Sequence, residues 1–250
     1  MRKSKLTGIL LKQSEYSDSS LVLKFFCINH GLISVLAKGI RRKTEREQLN
    51  NLCEYELELY EPREVGLWLL VEHCQLQDFS RLANPATWAA AECGLELASQ
   101  MMVSPDEHSL IYLLTTSYLT YLQNVRNNAV LIFWRFFLRL IRQSGIGSPF
   151  DTCCLCLAPQ SEYLAYDQSQ AGLVCRNCLG DLNFNDHLQM LSPNSSRILA
   201  LMPEIGKHLE TLLIRKAEVT EINILLENYW SSHHKQTLKL KSLSVLCQFY

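Results

Sequence analysis

The amino-acid sequence predicts an α+β protein with a small N-terminal β-barrel, a helical domain and an inserted four-cysteine zinc module. Three observations predict this class: short apolar or alternating runs fill the first 80 residues, helix-length apolar patterns begin near residue 84, and two C-x2-C pairs lie between residues 153 and 178. These changes of pattern set the expected boundaries. The barrel is expected over 1–80, the helical domain over 81–150 and 183–250, and the zinc module over 151–182.

Five runs in the first segment are typical of strands, at 6–11, 21–26, 33–37, 52–60 and 67–76. The fourth is the clearest, because glutamates and apolar residues alternate from Glu54 to Leu59, which is the period of a half-buried strand. Asn29-His30-Gly31 has the composition of a hairpin turn between the second and third runs. Five short strands without a helix-length pattern favour a small antiparallel barrel, and the five-stranded OB-fold fits this size.

Helices are predicted at about 84–102, 104–123 and 128–143, and shorter ones at 194–202, 204–216 and 218–232. The third is apolar almost all round, which predicts a central position. Its exceptions are Arg135, Arg139 and Arg142, which fall at i, i+4 and i+7 on one face. Two interpretations stay open: a solvated stripe on a buried helix, or a basic face that contacts nucleic acid or an acidic peptide.

The paired cysteines have the spacing of a tetrahedral zinc site. Cys153 and Cys156 form one C-x2-C pair, and Cys175 and Cys178 form the other, with 18 residues between the pairs. Four thiolates fill the coordination shell of one zinc ion, so the site is expected to be a scaffold and not a catalyst. Disulfides are the alternative, and they are disfavoured because no apolar leader follows the first five residues. The extra Cys154 is expected to be a bystander.

Charge is distributed unevenly along a chain whose formal net charge is only −1. Residues 1–50 carry ten Lys/Arg against four Asp/Glu, whereas residues 51–110 carry two against eleven. Five of the N-terminal cations lie within 38–46, on a glycine-containing loop that suits phosphate contacts. The residues predicted to contact nucleic acid are Lys12, Lys24, Lys38, Arg41, Arg42, Lys43 and Arg46. Tyr16, Phe25 and Phe26 are candidates for base stacking, with burial in the core as the other interpretation.

Catalytic and membrane-spanning patterns are missing from the sequence. It contains no G-x-x-x-x-G-K-[ST], G-x-G-x-x-G, H-E-x-x-H or G-x-S-x-G motif. No uncharged apolar stretch reaches the length of about 18 residues that a membrane span needs. We therefore expect a protein that is not an enzyme and does not cross a membrane.

An ordered series of motifs resembles the RecO family of bacterial DNA repair proteins, which act as recombination mediators. The series consists of TGILL at 7–11, YSDSSLVL at 16–23, Gly31, AKGIRR at 37–42, RFFLRL at 135–140 before Gly145, the two cysteine pairs, and LKLKSL at 238–243. The likeness covers nearly the whole chain. Two departures concern the cysteine module, since the family often has glycine where this chain has Leu157, and Gly-Gly where it has Ala171-Gly172.

The resemblance implies an OB-fold, a helical domain and an attached zinc ribbon in a cytoplasmic, nucleoid-associated protein. It further implies binding of single- and double-stranded DNA, annealing of strands, and work with RecR and single-strand-binding protein to load RecA. Lys38, Arg41, Arg42 and Lys43 match the stretch where the family's DNA contact would lie. The acidic, hydrophobic C-terminal tail of single-strand-binding protein is expected to bind an apolar pocket on the third helix, with arginines at its edge. The pocket would be formed by Phe133, Trp134, Phe136 and Phe137, and its edge by Arg135, Arg139 or Arg142. The other interpretation is that these aromatic residues fill the core and the arginines are solvated.

Two rival functions remain. One is a zinc-ribbon adaptor, for example in transcription, that contacts only proteins. The other is a thiol oxidoreductase that uses the C-x-x-C pairs, whose cysteines would have low pKa values and hold no metal. Salt-dependent binding to single strands separates DNA binding from the adaptor.

Overall fold

The computed structural model describes residues 2–44, 48–101, 107–143, 150, 152–160, 162–180, 187–234 and 237–250. The chain divides into two compact units, one formed by Met1–Ala83 with Leu97–Asn124 and the other by Asn84–Glu96 with Val125–Tyr250. Arg46, which the sequence places among the DNA contacts, lies outside the described residues.

Five strands form the sheet of the first unit: β1 (Lys3–Ser17), β2 (Ser20–Cys27), β3 (Gly31–Ala37), β4 (Cys53–Tyr60) and β5 (Trp68–Asp78). The order is β1-β2-β3-β5-β4, and β1 also pairs with β4, which closes the sheet. All pairs are antiparallel except β3 with β5. The five strands expected from the sequence are confirmed. β1 is longer than its apolar run, because its polar second half pairs with β2 as a hairpin.

The alternation on β4 produces the predicted two faces. Tyr55, Leu57 and Leu59 are buried inside the sheet with the apolar residues of the other strands. The glutamates between them face outward, where Glu56 and Glu58 pair with Lys5 and Lys3 of β1. The acidic face of this strand is therefore partly neutralised by its neighbour.

Seven α-helices occur in the described residues: α1 (Pro85–Gln100), α2 (His108–Leu122), α3 (Ala129–Gln143), α4 (Arg176–Gly180), α5 (Pro193–Ala200), α6 (Lys216–His233) and α7 (Lys241–Leu246). As expected from the sequence, α3 is central, and Trp134 donates from its indole Nε1 to Asn223 Oδ1 of α6 at 2.8 Å. No helix in the described part of the chain is both long and apolar enough to cross a membrane.

The helix predicted at 204–216 is wrong. Only a 3-10 helix, Met202–Lys207, occurs there, and the chain then runs without helix to α6. Asn128 explains the difference, because its Nδ2 donates to Leu209 O at 2.8 Å and to Leu212 O at 2.9 Å. These tertiary hydrogen bonds take carbonyls that a helix would otherwise use.

Candidate metal centre and nucleic-acid interface

The four predicted cysteine ligands lie on two knuckles beside a small sheet. Strands β6 (Tyr163–Asp167), β7 (Gly172–Cys175) and β8 (Leu188–Met190) form this sheet in the order β7-β6-β8. The antiparallel β6–β7 hairpin delivers Cys175, and α4 continues directly to Cys178. The first knuckle is closed by hydrogen bonds from Cys153 N to Ala158 O and from Leu157 N to Cys153 O, both 2.9 Å.

The four sulfurs are close enough to share one metal ion. Their Sγ atoms all lie within 4.8 Å of one another, and Cys156 Sγ is 3.9 Å from Cys175 Sγ. Tetrahedral zinc with Zn–S bonds of about 2.3 Å separates its sulfurs by about 3.8 Å. The spacing and the all-thiolate chemistry of the donors therefore fit zinc, and the site is built from the set that the sequence predicted.

Hydrogen bonds prepare this site for a cation. Burial alone would raise the pKa of the Cys153 thiol, but backbone N–H groups, including that of Cys175 at 3.4 Å, lower it to about 6. The effect on Cys178 is opposite. Hydrogen bonding, mainly with Cys175, raises the pKa of the Cys178 thiol to about 12. Without metal, the Cys153 thiol therefore ionises more readily than an ordinary cysteine and the Cys178 thiol less readily. A divalent cation would favour the thiolate form of its ligands, because cysteine binds metal when deprotonated.

Cys154 lies outside this set, as its sequence position predicts. Burial is the main cause that raises the pKa of the Cys154 thiol to about 11. Its side chain packs against Gly172, where an added Cβ would come within 2.5 Å of the Cys154 Cβ. Gly172 is therefore needed for the first knuckle to approach the hairpin.

Both departures from the family pattern fall at strained backbone positions. Leu157 has φ +58° and Ala171 has φ +48°, in the left-handed region that favours glycine. Leu157 follows the second ligand and is 73% exposed. The chain therefore adopts the backbone that glycine would favour, with side chains that disfavour it.

The basic loop follows β3 as a short, anchored turn. Gly39 has φ +69° and is followed by a 3-10 helix, Ile40–Arg42, whose Ile40 is buried in the core of the sheet. Arg41 N donates to Ser19 O at 3.1 Å, so the loop is tied to the β1–β2 turn. The side chains of Lys38, Arg41, Arg42 and Lys43 are exposed on this fixed support.

Arg41 has a partner that sequence reasoning missed. Its Nη2 lies 3.1 Å from Glu15 Oε1, and its Nη1 donates to Ser17 O at 3.3 Å. Along the sequence, the acids nearest to the loop are Glu45 and Glu47, whereas Glu15 is distant. The partner of Arg41 could have been identified only from the pairing of β1 with β2, which brings Glu15 next to the loop. Lys38 and Arg42 make no ion pair with any described residue.

The other two predicted cations face each other across neighbouring strands. Lys12 of β1 is directly opposite Lys24 of β2, and both side chains are exposed. Like charges in this position destabilise a sheet unless an anion lies over them. Phe25 and Phe26 are buried and cannot stack on bases, whereas Tyr16 is 62% exposed at the end of the same hairpin.

On α3 the aromatic residues belong to the core, which is the simpler of the two interpretations of this helix. Phe133, Trp134, Phe136 and Phe137 are all buried, so they form no open pocket for a peptide. Arg139 and Arg142 are exposed and Arg135 is half-buried. The arginine face itself stays a prediction.

Comparison with protein families identifies the chain. The model described as "Recombination protein O N terminal" matches residues 1–73, and "Recombination protein O C terminal" matches residues 82–243. The chain belongs to the RecO family. The resemblance drawn from the ordered motifs is confirmed, and membership places the chain among proteins of DNA repair by recombination.

Named relatives agree with this family. The chain is 27% identical over 253 residues to the DNA repair protein RecO of Syntrophus aciditrophicus, covering 97% of this chain and 94% of that protein. It is 21% identical over 248 residues to the RecO of Halalkalibacterium halodurans, covering 98% and 94%. A segment of 35 residues is 57% identical to the RecO of Glaesserella parasuis, covering 14% and 15%.

Proposed function

We propose that this RecO-family chain is a DNA-binding protein of recombinational repair that binds single- and double-stranded DNA through its N-terminal sheet. In this proposal residues 1–80 form an OB-fold, residues 81–150 and 183–250 a helical domain, and residues 151–182 a zinc ribbon. The observation that carries the proposal is the set of exposed cations on β1, β2 and the loop after β3. The proposed activity of the protein is to bind DNA and anneal complementary strands, without a chemical step.

The cations lie near one another on the sheet. Lys24 pairs with Lys12 on one side and with Ser34 of β3 on the other. From Ser34 the strand leads to Lys38 within four residues, or about 13 Å at the rise of a β-strand. A nucleic-acid backbone crossing the β1–β2–β3 surface therefore meets the lysine pair and then the loop.

This surface lacks features of sequence-specific reading. Its cations are flexible side chains suited to phosphate, and contacts of this kind depend on salt and not on base sequence. Tyr16 supplies an exposed ring for stacking, which any base accepts. Weak sequence preference is what annealing of arbitrary complementary strands requires.

The zinc ion is proposed as a structural cofactor held by Cys153, Cys156, Cys175 and Cys178. When bound, it links the first knuckle to the β6–β7 hairpin and α4. We expect one zinc per chain, with Cys175→Ser losing it and melting earlier, because folding of such modules is coupled to metal. Full zinc retention in a Cys153→Ser, Cys156→Ser double variant would reject this ligand set.

Partners are proposed from the family. RecR and the acidic tail of single-strand-binding protein are expected to bind, and RecA is expected to be loaded as a result. The face formed by Arg135, Arg139 and Arg142 is our candidate for the acidic tail, through charge alone and without the buried aromatic residues. Titration of a labelled tail peptide into wild type and an Arg135→Ala, Arg139→Ala variant tests this face, and equal affinities exclude it.

The DNA proposal is tested with a loop variant, Arg41→Ala, Arg42→Ala, Lys43→Ala. Fluorescence anisotropy with labelled single strands measures binding, and fluorescence quenching of complementary strands measures annealing. We expect both to weaken together while zinc content and the circular dichroism spectrum stay unchanged. The surface variant Arg81→Ala, Arg176→Ala, Lys207→Ala is the control, since it removes the same number of cations and none of them belongs to β1, β2 or the loop after β3. Equal behaviour of the two variants rejects the loop as the DNA site.

One observation favours the adaptor as a second candidate. Leu155 and Leu157 are exposed at the tip of the first knuckle, on a segment from Cys153 to Gln160 that contains no Lys, Arg, Asp or Glu. Exposed apolar residues on a rigid turn suit protein contact. The adaptor is favoured if the wild-type protein shows no salt-dependent binding to single strands and a Leu155→Ser, Leu157→Ser variant loses binding to a protein partner that the wild type binds.

A further inference from the structure

We infer that Glu15 is a built-in competitor for DNA, which occupies the Arg41 guanidinium until a phosphate displaces it. The inference rests on the proposed DNA-binding function and adds a residue that controls it. It starts from the ion pair between Arg41 Nη2 and Glu15 Oε1 at 3.1 Å, which joins the basic loop to the β1–β2 hairpin.

The guanidinium is presented in one orientation by the backbone. Arg41 N donates to Ser19 O at 3.1 Å, and Nη1 donates to Ser17 O at 3.3 Å. The first bond anchors the backbone at Arg41, and the second holds its guanidinium without help from an acid. Glu15 is therefore not needed to position Arg41, and its carboxylate takes the remaining Nη group.

A carboxylate in this place resembles a phosphate. Arginine binds both anions through paired N–H donors, so the two compete for one fork. DNA must displace Glu15 to gain the full contact with Arg41, whereas Lys38 and Arg42 have no acid to displace among the described residues. The loop therefore combines two cations that can contact DNA directly, Lys38 and Arg42, with one, Arg41, that is paired with Glu15.

The displacement is easy enough to occur. The Arg41 side chain is 39% exposed and that of Glu15 is 76% exposed, so water and salt screen the pair. Exposed ion pairs of this kind contribute about 0.2–1 kcal/mol. A dense polyanion overcomes this energy, while a single weak anion gains little from replacing one carboxylate by itself. The pair thus favours DNA over isolated anions at this position.

The test compares two variants that remove the same charge from the same hairpin. Glu15→Gln removes the competitor and keeps the shape of the side chain. Asp18→Asn is the matched control, because Asp18 is exposed and forms no ion pair in the described structure. By anisotropy at low salt, we expect Glu15→Gln to bind single-stranded DNA about two- to fivefold more tightly than Asp18→Asn does. The difference should shrink as salt screens the pair.

A double-mutant cycle with Arg41→Ala separates release of Arg41 from a general change of charge. In the Arg41→Ala background, Glu15→Gln should have no larger effect than Asp18→Asn. If Glu15→Gln and Asp18→Asn act equally on wild type, or if the gain persists without Arg41, the competitor is rejected while DNA binding by the loop stands. If wild type shows no salt-dependent DNA binding, the proposed function itself fails, and the competitor with it.

Discussion

Replacing Leu157 by glycine should strengthen zinc binding, although it removes a side chain. Leu157 has φ +58°, and the left-handed region costs a residue with a Cβ about 1–2 kcal/mol. Glycine avoids that cost but makes the unfolded chain freer by about 0.4–1 kcal/mol. The side chain is 73% exposed, so little burial is lost. The net expectation is a gain of about 0.5–1 kcal/mol.

Zinc affinity reports this gain, because the metal binds the folded knuckle and not the unfolded one. Competition with a chromogenic chelator at fixed pH should show about two- to fivefold tighter zinc binding for Leu157→Gly. Leu155→Gly is the matched control in the same knuckle, since Leu155 has no positive φ and is also exposed. That variant should bind zinc more weakly, because glycine there costs about 0.5–1 kcal/mol.

Leu157→Ala separates strain from the side chain. Alanine keeps the Cβ and its backbone penalty, so its zinc affinity should stay near that of wild type. If Leu157→Gly weakens zinc binding as Leu155→Gly does, the backbone strain assigned to Leu157 is not present.

Two further predictions concern the same module. Gly172→Ala should destabilise the module by about 1–3 kcal/mol, because the new Cβ would come within 2.5 Å of the Cys154 Cβ and force the first knuckle away. Thermal melting of the zinc-loaded protein measures this loss of stability. An unchanged melting temperature would contradict the close approach of Gly172 and Cys154. The metal-free module should be most stable near pH 9. Cys153 has a pKa lowered from 9.0 to about 6, so the unfolded state binds more protons between these values and stability rises with pH there. Cys178 has a pKa raised from 9.0 to about 12, so the folded state binds more protons above pH 9 and stability falls. Urea titrations of chelator-treated protein across this range test the maximum, and a steady rise in stability up to pH 11 would contradict it.

Local patterns predicted what depends on neighbours in sequence. The alternation on β4, the apolar pattern of α3 and the spacing of the cysteines are all local features of the sequence. The structure contains the half-buried strand, the buried helix and the cysteine cluster that they predict. The helix expected at 204–216 failed because hydrogen bonds from Asn128 decide that segment, and no local pattern contains them.

In the candidate DNA surface, too, some features could be predicted from the local sequence and others depend on the tertiary structure. Counting charges along the chain identified the loop after β3, since its cations are consecutive or nearly so. The pairing of Glu15 with Arg41 and the opposition of Lys12 and Lys24 depend on the register between β1 and β2. A single sequence does not contain that register, because the bulges in β1 shift it within the strand. The burial of the two phenylalanines likewise depends on tertiary packing, because Phe25 lies inside the closed sheet and Phe26 packs against Tyr112 of α2.

The slope of DNA affinity against salt tests the central claim most directly. Each phosphate contact on a single strand contributes about 0.7 to the slope of log K against log salt concentration. Anisotropy titrations over a salt series should therefore give the loop variant, Arg41→Ala, Arg42→Ala, Lys43→Ala, a slope that is shallower than that of wild type by about 2. The surface variant, Arg81→Ala, Arg176→Ala, Lys207→Ala, should keep the wild-type slope. Parallel slopes for wild type and the loop variant would contradict the claim that this loop binds the DNA backbone.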